Sequence, residues 1–154
     1  MAEIDTDRLI AIVTGIQLKA ELGDRPLAYR IEQAVRERIA ATHPKPAAGE
    51  LPRLVPAVVS DVFYLNNDAL QTRPTISIGG PGMNAVSAML VDLPTALAIE
   101  NTLVIQMDLD FEDLRCAVWG MNHLDTIRAV ETFIAKGYFD AFVTAAIDDE
   151  GDAP

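Results

Sequence analysis

The stretch "TISIGGPGMNAVSAML", residues 75–90, decides the fold. Its first four residues alternate polar and apolar, with Ile76 and Ile78 on one side, which is the period of a strand. Gly79, Gly80, Pro81 and Gly82 then interrupt the pattern, because glycine and proline punctuate regular structure. "NAVSAMLVDL" (84–93) resumes as a helix with Asn84 at its start, where an Asn side chain caps free backbone N–H groups. A strand, a glycine turn and a helix in succession form the building unit of an α/β layer.

Working outward, "AVVSDVFYL" (57–65) is β-branched, aromatic and mostly apolar, and reads as a buried strand with Asp61 in its middle. "NNDALQTRP" (66–74) reads as a turn or short helix. Downstream, "NTLVIQMDL" (101–109) and "RCAVWG" (115–120) read as strands, joined by "DFEDL", which is short enough for an antiparallel pair. "LDTIRAVETFIAKG" (124–137) is a helix ending on the C-cap glycine Gly137, and "YFDAFVTAAID" (138–148) is a further helical segment. The class expected is α/β: a small Rossmann-like, mostly parallel sheet with flanking helices.

The first third reads as a helical hairpin over residues 1–42. Leu9, Ile12, Val13, Ile16 and Ala20 follow one helical face, and Gly23 and Asp24 break it. Asp24 is read as the N-cap of a second helix with Pro26 in its first turn. That helix carries Leu27, Ile31, Ala34, Val35 and Ile39 on one side and charged residues on the other. A protein partner, or self-association into a homo-oligomer through residues 5–40, is the interaction this hairpin suggests. Four prolines in "HPKPAAGELPRLVP" (43–56) make a linker or strap. The α/β body is expected over 57–148 and a disordered acidic tail over 149–154, all within one domain.

Charge narrows the function classes. Residues 1–53 hold eight Lys/Arg and eight Asp/Glu, whereas residues 54–154 hold four and fifteen, so the whole net charge of -11 lies in the second part. Such a body repels nucleic acid and anionic membrane, and neither is expected as a partner. The single cysteine, Cys116, has no internal disulfide partner, and the acidic start "MAEIDTDRLIAIVTG" is the reverse of a secretory signal; both point to a cytoplasmic protein.

Gly80, Gly82 and Ala85 satisfy G-x-G-x-x-G/A after a strand and before a helix, the setting in which backbone N–H groups approach a phosphate. Pro81 removes one donor from that loop. The carboxylates that follow, Asp108 and Asp110, stand 28 and 30 residues after Gly80, against about 20 in a dinucleotide site. Without G-K-[ST] there is no P-loop. A smaller ligand at this turn and a purely structural turn both remain open. The second turn, "WGMNHLDTIRA" (119–129), leaves a strand and enters a helix capped by Asp125 or Thr126. If its strand lies beside "TISIGG", the two turns meet at the carboxyl edge, where ligands of open α/β sheets bind. Gly79, Gly80, Gly82, Asn84, His123, Asp125 and Thr126 are therefore the candidate ligand-binding residues.

"IGGPGMN" and "WGMNHLDTIRA" together resemble a paired signature of the C-terminal domain of archaeal S-layer-type proteins, G-G-P-x-x-N and G-x4-D-T-x-x-A. The matching positions are Gly79, Gly80, Pro81 and Asn84, then Gly120, Asp125, Thr126 and Ala129, within roughly residues 75–135. The resemblance implies a Rossmann-like arrangement with both turns at one edge, and it implies no catalytic residue.

Other constellations carry less chemistry. "DLDFEDLR" offers Asp108, Asp110, Glu112 and Asp113, oxygen ligands suited to Mg²⁺ or Ca²⁺ but without the spacing of a calcium loop; a solvated turn is the reading adopted, and no metal site is assigned. With two histidines, a His-rich metal site is excluded. Cys116 sits in an apolar strand seven residues before His123, a poor nucleophile arrangement. Two functional classes follow, with no cofactor named by either. One is a non-enzymatic interaction or ligand-sensing module. The other is a small hydrolase or transferase acting at the "GGPG" loop, with Asp61, Asn84 and Asp125 as candidate catalytic residues. A closed strand edge favours the first, and an open pocket beside a perturbed aspartate favours the second.

Overall fold

The computed structural model describes residues 6–42 and 54–152. Six strands form one sheet: β1 (Leu9–Thr14), β2 (Val55–Ser60), β3 (Thr75–Ile78), β4 (Thr95–Ile99), β5 (Leu103–Met107) and β6 (Arg115–Gly120), in the order β2-β1-β3-β6-β5-β4. β1 pairs in parallel with β2 and β3, and β3 with β6. β5 runs antiparallel to both β6 and β4, so the sheet is mixed and mostly parallel. The short connection through 108–114 accounts for the β5–β6 reversal, as its length suggested.

The N-terminus is a strand, which corrects the helical hairpin expected for residues 1–42. All six residues of "LIAIVT" are buried. Ile10 and Ile12 enter the core on one face of the sheet, while Leu9, Ala11 and Val13 enter the core on the other. A run apolar at both parities fits a helical face and a strand covered on two sides equally well. Pairing with β2 and β3 on either flank selects the strand. The reading of 57–65 as one strand is corrected too. β2 ends at Ser60, whose hydroxyl accepts the Phe63 N–H at 3.1 Å, and a short helix α2 (Asp61–Leu65) begins with Asp61.

A helix follows β1 from Leu18, with a π-turn over Ala20–Asp24 and then the long helix α1 (Arg25–Thr42). Gly23 and Asp24 thus do not break the helix, and Asp24 is not an N-cap. Pro26 has no N–H to donate to the preceding turn, and the Arg25 N–H reaches back five residues to the Ala20 carbonyl. A widened turn of this kind is often found at functional sites. Here it holds Asp24 at 6 % exposure.

The helices cover both faces. α1, α5 (His123–Ala135) and α6 (Tyr138–Asp152) lie on one, burying Leu27, Ile31, Val35, Val130, Phe133 and Phe142 against Ile10, Ile76 and Val118. α2, α3 (Asp68–Gln71) and α4 (Ala85–Met89) lie on the other, with Tyr64, Leu70 and Val86 against Ala11, Val13 and Ala117. The apolar stripe of α1 is therefore covered by the chain's own sheet. α6 runs on to Asp152, past the boundary expected at 148, while residues 153–154 and most of the expected strap, 43–53, lie outside the described residues. Among the described residues no helix is long and apolar enough to cross a membrane.

Chain direction positions the site. From β1 the chain crosses over α1 to β2, then returns over α2 and α3 to β3 on the opposite side of β1. The order reverses between β1 and β3, and in open α/β sheets the crevice at such a point lies outside the carboxyl ends of the strands.

Candidate functional site

At the carboxyl edge of β3 and β6 lies a cleft of about 630 Å³, a volume in the range of small-molecule sites. The π-turn helix contributes Lys19 and Asp24, and the glycine loop contributes Gly80, Pro81, Gly82 and Met83. The turn after β6 contributes Trp119, Gly120, Met121, Asn122 and His123, with Thr126 behind them. The two glycine turns do face each other, as the strand-to-helix pattern suggested.

Asp24 is the residue that sequence reasoning missed. Its carboxylate opens onto the cleft, and among the described residues no hydrogen bond or ion pair engages it. Burial raises its pKa from 3.8 to about 6, the nearby His123 pulling in the opposite direction. The carboxylate fits where it does because of Gly79. That residue has φ +104°, and a Cβ there would stand 2.6 Å from Asp24 Oδ2. His123 lies against Gly23 in the same way, with a Cβ at Gly23 only 2.8 Å from its Nδ1. A second polar group at the end of β1, the buried Thr14 hydroxyl, has no hydrogen-bond partner either. The one legible signal for Asp24 was an acidic residue two positions before a proline in a helical pattern, which reads more naturally as a cap.

Asn84 serves the fold. Its Nδ2 donates to the carbonyls of Val13 (3.0 Å) and Ile78 (2.9 Å), stapling the ends of β1 and β3 together. Its Oδ1 accepts from Val86 N (2.9 Å) and Ser87 N (3.4 Å), capping α4. Every hydrogen-bonding group of the side chain is engaged, and it is 1 % exposed. Asp61 is likewise committed, its two oxygens accepting from Val62 N at 2.8 Å and Ala85 N at 2.9 Å. Asp125 lies in the first turn of α5, outside the cleft lining, with Oδ1 3.4 Å from the Arg128 guanidinium. The cap of α5 is neither Asp125 nor Thr126 but Asn122, whose Oδ1 accepts the Asp125 N–H at 2.9 Å. Thr126 bridges the turn, accepting from Gly120 N at 3.1 Å and donating to the Asn122 carbonyl at 3.1 Å.

Of the candidate residues, Gly80, Gly82, His123 and Thr126 line the cleft, and Gly79 sits beneath Asp24. Asn84, Asp61 and Asp125 share the carboxyl edge, where Asn84 and Asp61 hold strand and helix ends together and Asp125 meets Arg128 on its own helix. Cys116 is fully buried in the core, where desolvation pushes its thiol far above the ordinary range, and it faces away from nucleophile chemistry.

A second hollow, of about 520 Å³, lies at the opposite edge between Arg73, Asp108, Asp113 and Arg115. Four of its charged side chains are engaged locally. The two Asp113 oxygens accept from Nε and Nη2 of Arg115 at 2.8 Å, and Arg73 donates from Nε to the Leu9 carbonyl at 2.9 Å. Asp108 accepts from the backbone of Asp110, Glu112 and Asp113, which holds its pKa below the usual value. Among the described residues no group of three metal-ligating side chains converges.

The fold and the cleft together define the class: an α/β protein with a six-stranded mixed, mostly parallel sheet and a crevice at the carboxyl edge of β3 and β6. Comparison with protein-family models, curated proteins and solved structures returns no match to this chain.

Proposed function

We propose that the protein binds a small molecule in the cleft at the β3–β6 edge, and that Asp24 exchanges a proton with it as a general acid or base. The observation that carries this reading is the Asp24 carboxylate, 6 % exposed, without a hydrogen-bond partner among the described residues and facing a cleft. A buried carboxylate of that kind is costly to keep. Its pKa of about 6 sits close to the operating pH, where proton transfer is efficient in both directions. His123, exposed at the start of α5, lines the same cleft. With no activated nucleophile in the cleft, the reaction class is proton abstraction, isomerisation or hydration rather than acyl transfer.

The test is a carboxyl-carbon NMR titration of Asp24, with a thermal-shift screen against nucleosides, sugar phosphates and organic acids on wild type and Asp24→Asn. Asp24 titrating near 6, with a ligand-induced shift that the variant loses, supports the reading. Titration near 3.8 with identical screens for both proteins overturns it.

A second reading keeps the non-enzymatic module. Ile16, Leu18 and Leu22 are 54 %, 72 % and 73 % exposed around the start of the first helix. They lie within residues 5–40 and offer an apolar contact for a partner protein or a second copy. Sedimentation of wild type against Leu18→Glu/Leu22→Glu separates the two readings, since loss of a larger species in the variant favours docking.

A further inference from the structure

The glycine loop has the outline of a phosphate site, yet the groups around it argue for a different ligand. Asp24 Oδ2 packs directly on Gly79, at the root of the loop. A carboxylate there repels phosphate, Pro81 offers no N–H, and the acidic body adds to the repulsion. What Asp24 needs is a donor. A cationic ligand would supply one, but the Lys19 ammonium lines the same cleft and opposes a second positive charge. An uncharged ligand with N–H groups satisfies the carboxylate without meeting that opposition.

The walls define the rest of the ligand. Trp119 lies along the cleft, its Nε1 held by Gln106 Oε1 at 3.3 Å, so the indole plane has a fixed orientation. Gly80 stands beside the six-membered ring, where a Cβ would come within 3.3 Å of Cε3. The loop backbone therefore lies against that ring, close enough that a side chain at position 80 would press on it, while the indole itself lines the cleft. Pro81, Met83 and Met121 complete an apolar lining suited to a flat ring, methionine sulfur packing well against aromatic edges.

Resting on the small-molecule reading above, we infer that the cleft takes an uncharged planar nitrogen heterocycle, a nucleobase-like ring that donates N–H to Asp24 and lies against Trp119. The recognition is an N–H edge on one side and a stacking face on the other. It needs no phosphate.

Trp119 is the only tryptophan of the chain, so its fluorescence reports on this cleft alone. Adenosine, guanosine and cytidine are titrated at pH 8 beside agmatine and inorganic phosphate, with the amide NMR spectrum as second readout. Saturable quenching by a nucleoside, weakened about tenfold in Asp24→Asn, is expected, since a charge-assisted hydrogen bond is roughly twice as strong as a neutral one. The wild type supplies a second check independent of the variant's folding: affinity falls as the pH drops from 8 to 5 and Asp24 takes up a proton. Resonances of Gly80 and Trp119 that move with agmatine or phosphate but with no nucleoside overturn the heterocycle and leave the site standing. A spectrum unmoved by any of the five probes overturns both.

Discussion

Replacing Asp24 by Asn changes how stability depends on pH, and the size of the change follows from the cleft. In the folded chain Asp24 has a pKa of about 6, against 3.8 when free of its surroundings. A carboxyl whose pKa is raised by folding binds more protons folded than unfolded between those values. Stability from this group is therefore greatest at low pH and falls as pH rises towards 6, above which the burial cost is fully present. One pH unit corresponds to about 1.4 kcal/mol, so the full difference is on the order of 3 kcal/mol. Between pH 5 and pH 8, a window that avoids precipitation near the isoelectric point of 4.4, the group removes about 1.4 kcal/mol from wild-type stability. Asn does not titrate, and the other ionisable groups are common to both proteins. Urea unfolding of each, followed by Trp119 fluorescence at several pH values, then shows the wild type falling relative to Asp24→Asn by about 1.4 kcal/mol over that window. How well the amide fits shifts the variant's curve as a whole, and making both measurements in a His123→Gln background removes the Asp24–His123 coupling from the slope. Parallel curves would refute the raised pKa, and with it the premise that Asp24 is unpartnered.

Asn84→Ala leaves the buried carbonyls of Val13 and Ile78 without donors and removes the α4 cap, so a loss of about 2–4 kcal/mol is expected from denaturant unfolding. Gly79→Ala places a methyl against Asp24 Oδ2 at φ +104°; about 1–3 kcal/mol is lost, and a displaced Asp24 titrates closer to its ordinary value by NMR. Phe133→Ala empties a fully buried site between α5, α6 and the sheet and costs about 3–5 kcal/mol, measured the same way. Cys116 stays unreactive to a thiol reagent at pH 8 in the native protein and reacts promptly in urea, because its sulfur is buried and its thiolate disfavoured.

Local pattern was enough to read the second half of the chain. "TISIGG", "RCAVWG" and the helices over 124–148 carry their periods on the surface of the sequence, since alternation and helical spacing are set by neighbours a few residues away. The short "DFEDL" connection likewise disclosed the β5–β6 reversal, because only antiparallel strands join through so few residues. The edge strand β4, half-exposed "TALAI", had no such alternation of buried and exposed residues to announce it. "LIAIVT" shows where local pattern stops: it is apolar on both parities, and only the arrival of β2 and β3, whose paired residues lie 46 and 64 positions further along the chain, makes it a central strand. The candidate site divides the same way. That the glycine turn and the turn after β6 share an edge follows from strands and helices in alternation. Which carboxylates are free there does not, because a side chain's hydrogen-bond partners come from other elements. Asp61 and Asn84 looked available until α4 and the ends of β1 and β3 closed on them. Asp24 looked like a helix cap until the π-turn carried it under the Gly79 backbone, where no described residue hydrogen-bonds to it. The sequence alone determined the alternation of elements, the charge and the glycine turns; tertiary packing decided which polar groups at the strand ends were satisfied and which, Asp24 and Thr14, were left without a hydrogen bond among the described residues.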